Sequence, residues 1–370
     1  MRLGLLKEPD FESRVALTPE VVKSFIDKGL EVWVESEAGH KASYSNADYE
    51  AVGARIGSRA EVIAADVLVR IQPLSNESIE HLRNGQLLFG MYQPLVNGFR
   101  MQKIAEKGVS LVSMDAIPRI TRAQSMDVLS SQASLAGYQA VLQAATLLPR
   151  IFPMMMTAAG TIAPAKVLVI GAGVAGLQAV ATAKRLGAVV EAFDTRPSVK
   201  EQVESLGGRF VEVPGAVEDK GAGGYAVEQS EDYKRRQSEE LEKRIVAADV
   251  VISTALIPGK PAPVLITADM VQRMRAGSVI IDLAAAAGGN CALTKNNEIA
   301  HEHGIAIVGN GNLPADKPQD ASRMYAKNML NYLSPWTKEG QVELGLDDDI
   351  VKGSLITRGG EVVWEPLKKA

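Results

Sequence analysis

The chain has 370 residues, 46% hydrophobic and 23% charged, a balance that suits two ordinary domains, each with its own core. A formal net charge of -4, with no run of Lys and Arg, excludes an electrostatic footprint for nucleic acid. The single cysteine, Cys291, excludes a disulfide framework and a cysteine metal site, and points to a reducing cytosol.

In chain order, short apolar runs alternate with amphipathic segments, the pattern of a parallel α/β sheet. The N-terminus is charged too early for a secretory signal. Strands are predicted at residues 2–5, 32–35, 67–71, 87–91 and 110–113. Thr18 suits an N-cap and Pro19 the first helical position, where its missing N–H costs nothing. A further helix is predicted over residues 97–107. This half is built like a nucleotide-binding domain but carries no glycine fingerprint.

A long helix rich in Ala, Leu and Gln follows over residues 125–148. The longest apolar stretch, 136–156, is broken by Gly137, Gln139, Gln143, Arg150 and Pro153. No segment therefore reads as a membrane span, and a membrane link must come through a partner. The triplet Met154-Met155-Met156 is expected to pack at the domain junction. A second α/β series has strands at 167–170, 189–193, 250–253, 278–283 and 306–308. A long glycine-bearing loop, 214–230, interrupts it before a charged helix at 231–244, an exposed face with internal ion pairs. Loops of such length are mobile lids or disordered segments. His301-Glu302-His303 lacks the i, i+4 spacing of a helical metal pair and reads as a solvated helix end, so no metal site is expected. Cys291 reads as a small buried residue. A last helix, 321–333, is expected to return its apolar face to the first domain, and Gly359-Gly360 marks a hairpin.

Together these elements predict an α/β protein with two Rossmann-like domains and parallel sheets, linked by long helices, with a cleft between them. The first domain is discontinuous, residues 1–129 with 322–370. The second, 130–321, is the nucleotide-binding one.

Its fingerprint is Gly171-Ala172-Gly173-Val174-Ala175-Gly176, with the required strand before it and helix after it. Gly171 permits the tight turn, Gly173 admits a pyrophosphate close to the backbone, and Gly176 allows close helix packing. The helix N-terminus offers N–H donors to phosphates. Asp194 ends the next strand about 20 residues on, where a carboxylate bonds ribose hydroxyls and repels a 2′-phosphate. That favours NAD. Arg196, two residues further, is a cation that leaves NADP open as the second choice.

The segment Pro118-Arg119-Ile120-Thr121-Arg122-Ala123-Gln124-Ser125-Met126-Asp127, followed by Ser130-Ser131-Gln132, is unusual for a Rossmann protein. With the runs 152–160, 200–208 and 254–263, and with Asp282 and Gly288-Gly289-Asn290, it closely resembles the NAD(H)-binding domain of proton-translocating NAD(P) transhydrogenases. The resemblance spans nearly the whole chain. It implies that Arg119, Asp127 and Ser130 orient the nicotinamide carboxamide and that Gln124 reaches toward a second nucleotide. It further implies cofactor contacts from Val174, Ala175, Thr195, Arg196, Thr254, Ala255 and Leu256, and from Gln237 and Asn312. Gly224 and Tyr225 would lie on a loop closing over NAD(H). The implied activity is direct hydride exchange with NADP(H) held on a partner subunit, coupled to proton translocation by a transmembrane subunit. The chain would then be a homodimer on the cytoplasmic side of the inner membrane, attached through those partners.

Alanine dehydrogenases share this architecture and the pattern seen here as Glu12-Ser13-Arg14-Val15-Ala16-Leu17-Thr18-Pro19, so a free-standing NAD-dependent amino-acid dehydrogenase is the alternative. That family needs a lysine and a histidine in its first domain. Gln72 and Gln93 stand at the corresponding places, and Ala286 at that of a second-domain acid. Neither amide can serve as acid or base near neutral pH.

Overall fold

The computed structural model describes residues 1–215, 230–257 and 259–368. The chain divides into two compact units, Met1–Gln132 with Ala315–Ala370, and Ala133–Pro314. The helix Val128–Leu147 begins in the first and continues in the second.

The first unit is an eight-stranded sheet. Six strands are parallel: β1 (Arg2–Leu5), β2 (Glu31–Glu35), β3 (Arg55–Gly57), β4 (Val67–Val69), β5 (Leu87–Gly90) and β6 (Ser110–Ser113). They lie in the order β6-β5-β4-β1-β2-β3. The chain's last strands, Leu355–Arg358 and Glu361–Val362, close the β6 edge antiparallel, joined through Gly359 and Gly360 at positive φ. That is the hairpin which the glycine pair predicts. The helix Pro318–Leu333 buries Tyr325, Met329, Tyr332 and Leu333 in this unit's core, as its apolar face requires. Thr18 does occupy the N-cap of the helix Pro19–Ile26, yet its hydroxyl makes no cap bond and is buried without a partner.

The second unit opens with a two-stranded hairpin, β7 (Met155–Thr157) and β8 (Gly160–Ile162). Here the structure overturns an expectation. Met154, Met155 and Met156 are 59%, 43% and 75% exposed rather than packed. The main sheet follows, made of β9 (Lys166–Ile170), β10 (Val189–Phe193), β11 (Arg209–Phe210), β12 (Val250–Ser253), β13 (Val279–Asp282), β14 (Ile299–Glu302) and β15 (Ile305–Val308). Its order is β11-β10-β9-β12-β13-β15-β14, parallel except for β14. His301 and Glu302 therefore belong to an antiparallel edge strand, not to a helix end. The turn that follows uses His303 and Gly304, both at positive φ, the geometry of a two-residue hairpin. The charged helix Glu231–Ala247 carries the expected internal pairs, Arg235 with Asp232 and Glu239, and Arg244 with Glu240.

Both sheets reverse their strand order beside the first strand, between β1 and β4 and between β9 and β12. In open α/β sheets the crevice at the carboxyl ends of such strands is the ligand position. In the first unit that crevice is filled by the chain's own side chains. The Glu8 carboxylate, after β1, accepts N–H bonds from Ile71 (2.6 Å) and Gln72 (3.0 Å), which follow β4. Glu12 pairs with the Arg14 guanidinium (2.6 Å) and also accepts from the Gln72 amide (2.7 Å). An internal carboxylate thus takes the backbone donors that an anionic ligand would use. Burial pushes the Glu8 carboxyl up to about 7, against the opposing pull of Arg70 and the two N–H groups. The fold thereby favours the protonated acid. Its contribution is complete below the ordinary carboxylate value of about 4.3 and is lost as pH rises through about 7. Glu8→Gln stays neutral, so its Tm relative to the parent chain should rise between pH 5 and pH 8. A difference in Tm that does not vary with pH would contradict the assignment.

Candidate functional site

At the second unit's switch point, open space is found beside Gly173, where an added Cβ would meet nothing within 4 Å. β9 ends at Ile170, and the turn Gly171-Ala172-Gly173 leads straight into the helix Val174–Arg185. Gly171 sits at φ +95, and a Cβ there would stand 2.5 Å from the Thr254 hydroxyl. A Cβ on Gly176 would overlap the Gly171 carbonyl oxygen, whereas one on Gly173 meets nothing within 4 Å. The three glycines thus do different work. Gly171 takes a positive φ beside the Thr254 hydroxyl, Gly176 lets backbone approach backbone, and Gly173 leaves open space at a helix N-terminus. A second close approach backs the helix from behind, because a Cβ on Gly137 would overlap the Ala175 carbonyl.

Asp194 follows β10 and is buried. Its Oδ2 accepts the Ala172 N–H (2.8 Å), which ties it to the glycine turn. The Arg196 guanidinium pairs with the same carboxylate at 2.8 Å. Thr195 is half-buried between them. Across the switch point, after β12, Thr254 donates its hydroxyl to the Gly171 carbonyl (3.1 Å), and Leu256 is exposed.

Two buried polar residues hold this wall in place, and the sequence by itself assigns neither a role. The Asn290 amide oxygen accepts from the Ser253 hydroxyl (2.6 Å) and the Ala255 N–H (3.0 Å), and its NH₂ donates to the Ala255 carbonyl (2.9 Å). The Asp282 carboxylate, at the end of β13, accepts from the N–H groups of Asn290 (2.7 Å) and Cys291 (3.0 Å) and from the Thr294 hydroxyl (2.6 Å). Each satisfies several donors in a dry interior, where an unmet one is costly. Cys291 is buried there, as expected, and burial pushes its thiol up, which makes it less nucleophilic.

The remaining expected residues are placed as follows. Gln237 is half-buried on the helix Glu231–Ala247, which starts at the carboxyl edge of the sheet. The Asn312 N–H donates to the Asn310 side chain (2.8 Å) in the segment after β15. Gly224 and Tyr225, with residues 216–229 of the glycine-bearing loop, lie outside the described residues.

In the first unit, the segment after β6 carries exposed Arg119 and Gln124. Arg122 pairs with Asp348 (2.6 Å), and the Ser125 carbonyl accepts amide donors from Asn328 (2.8 Å) and Asn331 (2.9 Å). The segment is therefore pinned at two points. Asp127 accepts both the Ser130 N–H (2.9 Å) and the Ser130 hydroxyl (2.6 Å), so the two residues form one oriented acceptor group. No cluster of three or more His, Cys, Asp or Glu able to hold a metal occurs among the described residues.

Family models described as the N-terminal and C-terminal domains of "Alanine dehydrogenase/PNT" match residues 4–136 and 140–365. The chain is 48% identical to an NAD(P) transhydrogenase alpha-subunit polypeptide of Rhodospirillum rubrum, over 99% of each chain. The chain belongs to the NAD(P) transhydrogenase alpha-subunit family. It is also 42% identical to the NAD(P) transhydrogenase subunit alpha of Haemophilus influenzae, over 98% of this chain and 72% of that one. The crystal structure of transhydrogenase from Sinorhizobium meliloti superimposes with a TM-score of 0.87 at 40% identity, covering 99% of this chain and all of that one. An L-alanine dehydrogenase structure, at a TM-score of 0.82 and 23% identity, shares the fold. The transhydrogenase alpha-subunit family is thus the nearer branch of the wider alanine dehydrogenase/PNT family, and the chain is an oxidoreductase subunit.

The glycine geometry separates stability from site access. Gly176→Ala forces backbone apart and should cost about 1–3 kcal/mol, a drop of several degrees in Tm. Gly173→Ala should leave Tm within a degree or two. Equal losses in thermal unfolding would show that the turn is packed differently.

Proposed function

We propose that this chain binds NAD(H) at the glycine turn of its second unit and exchanges hydride directly with NADP(H) on a partner subunit, in a complex whose transmembrane subunit couples the exchange to proton translocation. The observation that carries this reading is the convergence, at adjacent strand ends of the switch point, of a glycine turn, a helix N-terminus with open space at Gly173, and a buried carboxylate. These groups fit a dinucleotide. The open space at Gly173 admits a pyrophosphate, the N–H groups of Val174 and Ala175 face it, and Asp194 meets the ribose. Thr254, Ala255 and Leu256 form the opposite wall, and Asn312 and Gln237 complete the contacts.

When bound, NAD(H) supplies a hydride donor or acceptor at its nicotinamide C4 carbon. The chain's own residues bind and orient. Arg119, with the Asp127–Ser130 pair, fixes the carboxamide by charge-assisted hydrogen bonds, and Gln124 serves the partner's nucleotide. Hydride passes between two carbons, so no general acid or base is required and catalysis reduces to positioning at about 3–3.5 Å. Gln72 agrees with this, since its amide is neutral and donates to Glu12. Two nicotinamide couples of nearly equal potential need an outside driving force, and a proton moving down a gradient supplies about 2.3 kcal/mol per 100 mV.

The proposed complex holds the chain at the cytoplasmic face of the inner membrane through its partner subunits; among the described residues no helix is long and apolar enough to cross a membrane. A homodimer is supported by the β7–β8 hairpin. Two strands alone are marginal in water, and this pair exposes Met155, Met156 and Ile162, a surface that a second copy would cover.

Titrating the purified chain with NADH, NADPH, and alanine plus NAD⁺ tests the reading. NADH should bind more tightly than NADPH, and alanine should produce no NADH. Alanine-dependent NADH formation would restore the dehydrogenase reading. Gly173→Ala should lose NADH binding while keeping its Tm. In the assembled complex, Arg119→Ala should lower hydride transfer about a hundredfold, the scale of a misplaced reacting atom, with less than a threefold change in NADH affinity. Equal losses would mean that Arg119 is a general binding group.

A further inference from the structure

The Asp194 carboxylate is more fully engaged than a group that must accept ribose hydroxyls should be. Oδ1 accepts from the Arg196 backbone N–H (2.8 Å) and from Arg196 Nε (2.9 Å). Oδ2 accepts from the Ala172 N–H (2.8 Å) and from Arg196 Nη2 (2.8 Å). A carboxylate offers about four lone-pair positions, and here all four are taken. Two of the four donors belong to one guanidinium, held in the two-pronged geometry that arginine favours. The pair is sheltered, with the Arg196 and Asp194 side chains only 17% and 6% exposed.

A ribose diol brings two hydroxyl donors and needs free acceptor positions. The two backbone N–H bonds are fixed by the glycine turn and by the Asp-Thr-Arg corner, so they cannot yield. The guanidinium sits at the end of a flexible side chain and can. We propose that Arg196 is a specificity-determining mask. It covers the Asp194 carboxylate, is displaced when the NAD(H) ribose binds, and becomes a 2′-phosphate ligand once that carboxylate is neutralised. This role of Arg196 rests on NAD(H) binding at the glycine turn.

Two consequences separate a mask from an ordinary cofactor contact. While Asp194 is charged, the guanidinium is held in a pair of no net charge, so the corner offers a 2′-phosphate nothing. Removing only that charge leaves an arginine beside the ribose position, the arrangement that accommodates NADP in this fold class. The preference should then invert through a residue already present, with no cation added. Displacing the guanidinium also opposes NADH binding, so removing it should tighten NADH.

The test is equilibrium binding of NADH and NADPH, followed by nicotinamide fluorescence, to the full chain and to D194N, R196Q and the double variant. Thermal unfolding confirms that each is folded. D194N should bind NADPH at least tenfold more tightly than NADH. The double variant should lose at least tenfold of that NADPH affinity, and R196Q alone should bind NADH at least threefold more tightly than the parent chain. Failure of D194N to gain NADPH affinity, an equal gain in the double variant, or R196Q binding NADH no better than the parent would each overturn the mask. If the parent chain itself bound no NADH, the underlying cofactor assignment would fall instead.

Discussion

One close approach sets the geometry of the second unit: the Gly171 carbonyl lies against the Cα of Gly176, where no side chain fits. That contact lets the helix Val174–Arg185 begin after only the short turn Gly171-Ala172-Gly173 at the end of β9. Its unbonded N–H groups are then delivered to the switch point between β9 and β12. The rest follows from it. Asp194 is placed by a bond to Ala172 within the turn, and Thr254 by a bond to Gly171. Asn290 and Asp282 hold the next two strand ends at matching depth.

The two units show how one topology serves two ends. Both sheets reverse beside their first strand, and both leave backbone donors at the reversal. In the first unit, Glu8 takes those donors, and Glu12, Arg14 and Gln72 fill what remains. In the second, glycine replaces side-chain bulk at the turn, and open space remains beside Gly173. A lysine in place of Gln72 would add a charge beside the Glu12–Arg14 pair. The neutral amide instead closes a network without titrating.

Much of this is legible in the sequence because the signals are local. Strand, glycine turn and helix succeed one another within residues 166–185, and period and turn chemistry locate both sheets. Elements without a local signature are harder to place. His301-Glu302 reads as a helix end, although His303-Gly304 is a hairpin turn that an Asn-Gly pair would announce more plainly. Met154-Met155-Met156 reads as buried because three apolar residues in a row usually are. Here they lie on a hairpin with little behind it. Asn290 and Asp282 fall within recognisable segments, but their work is to satisfy backbone groups from other loops, which no spacing reveals. Arg196 reads as a candidate phosphate ligand, and only the structure shows it tied to Asp194 by two side-chain bonds.

The central claim is that hydride leaves NAD(H) on this chain and arrives on NADP(H) without passing through solvent. It is tested most directly by assembling the chain with the proposed NADP(H)-binding and transmembrane subunits and supplying NADH deuterated at the transferable C4 position, with NADP⁺ in ordinary water. Direct transfer predicts one deuterium in the NADPH formed per turnover, none released to water, and no turnover by the chain alone. Loss of the label to water, or transfer by the chain without its partners, would contradict it.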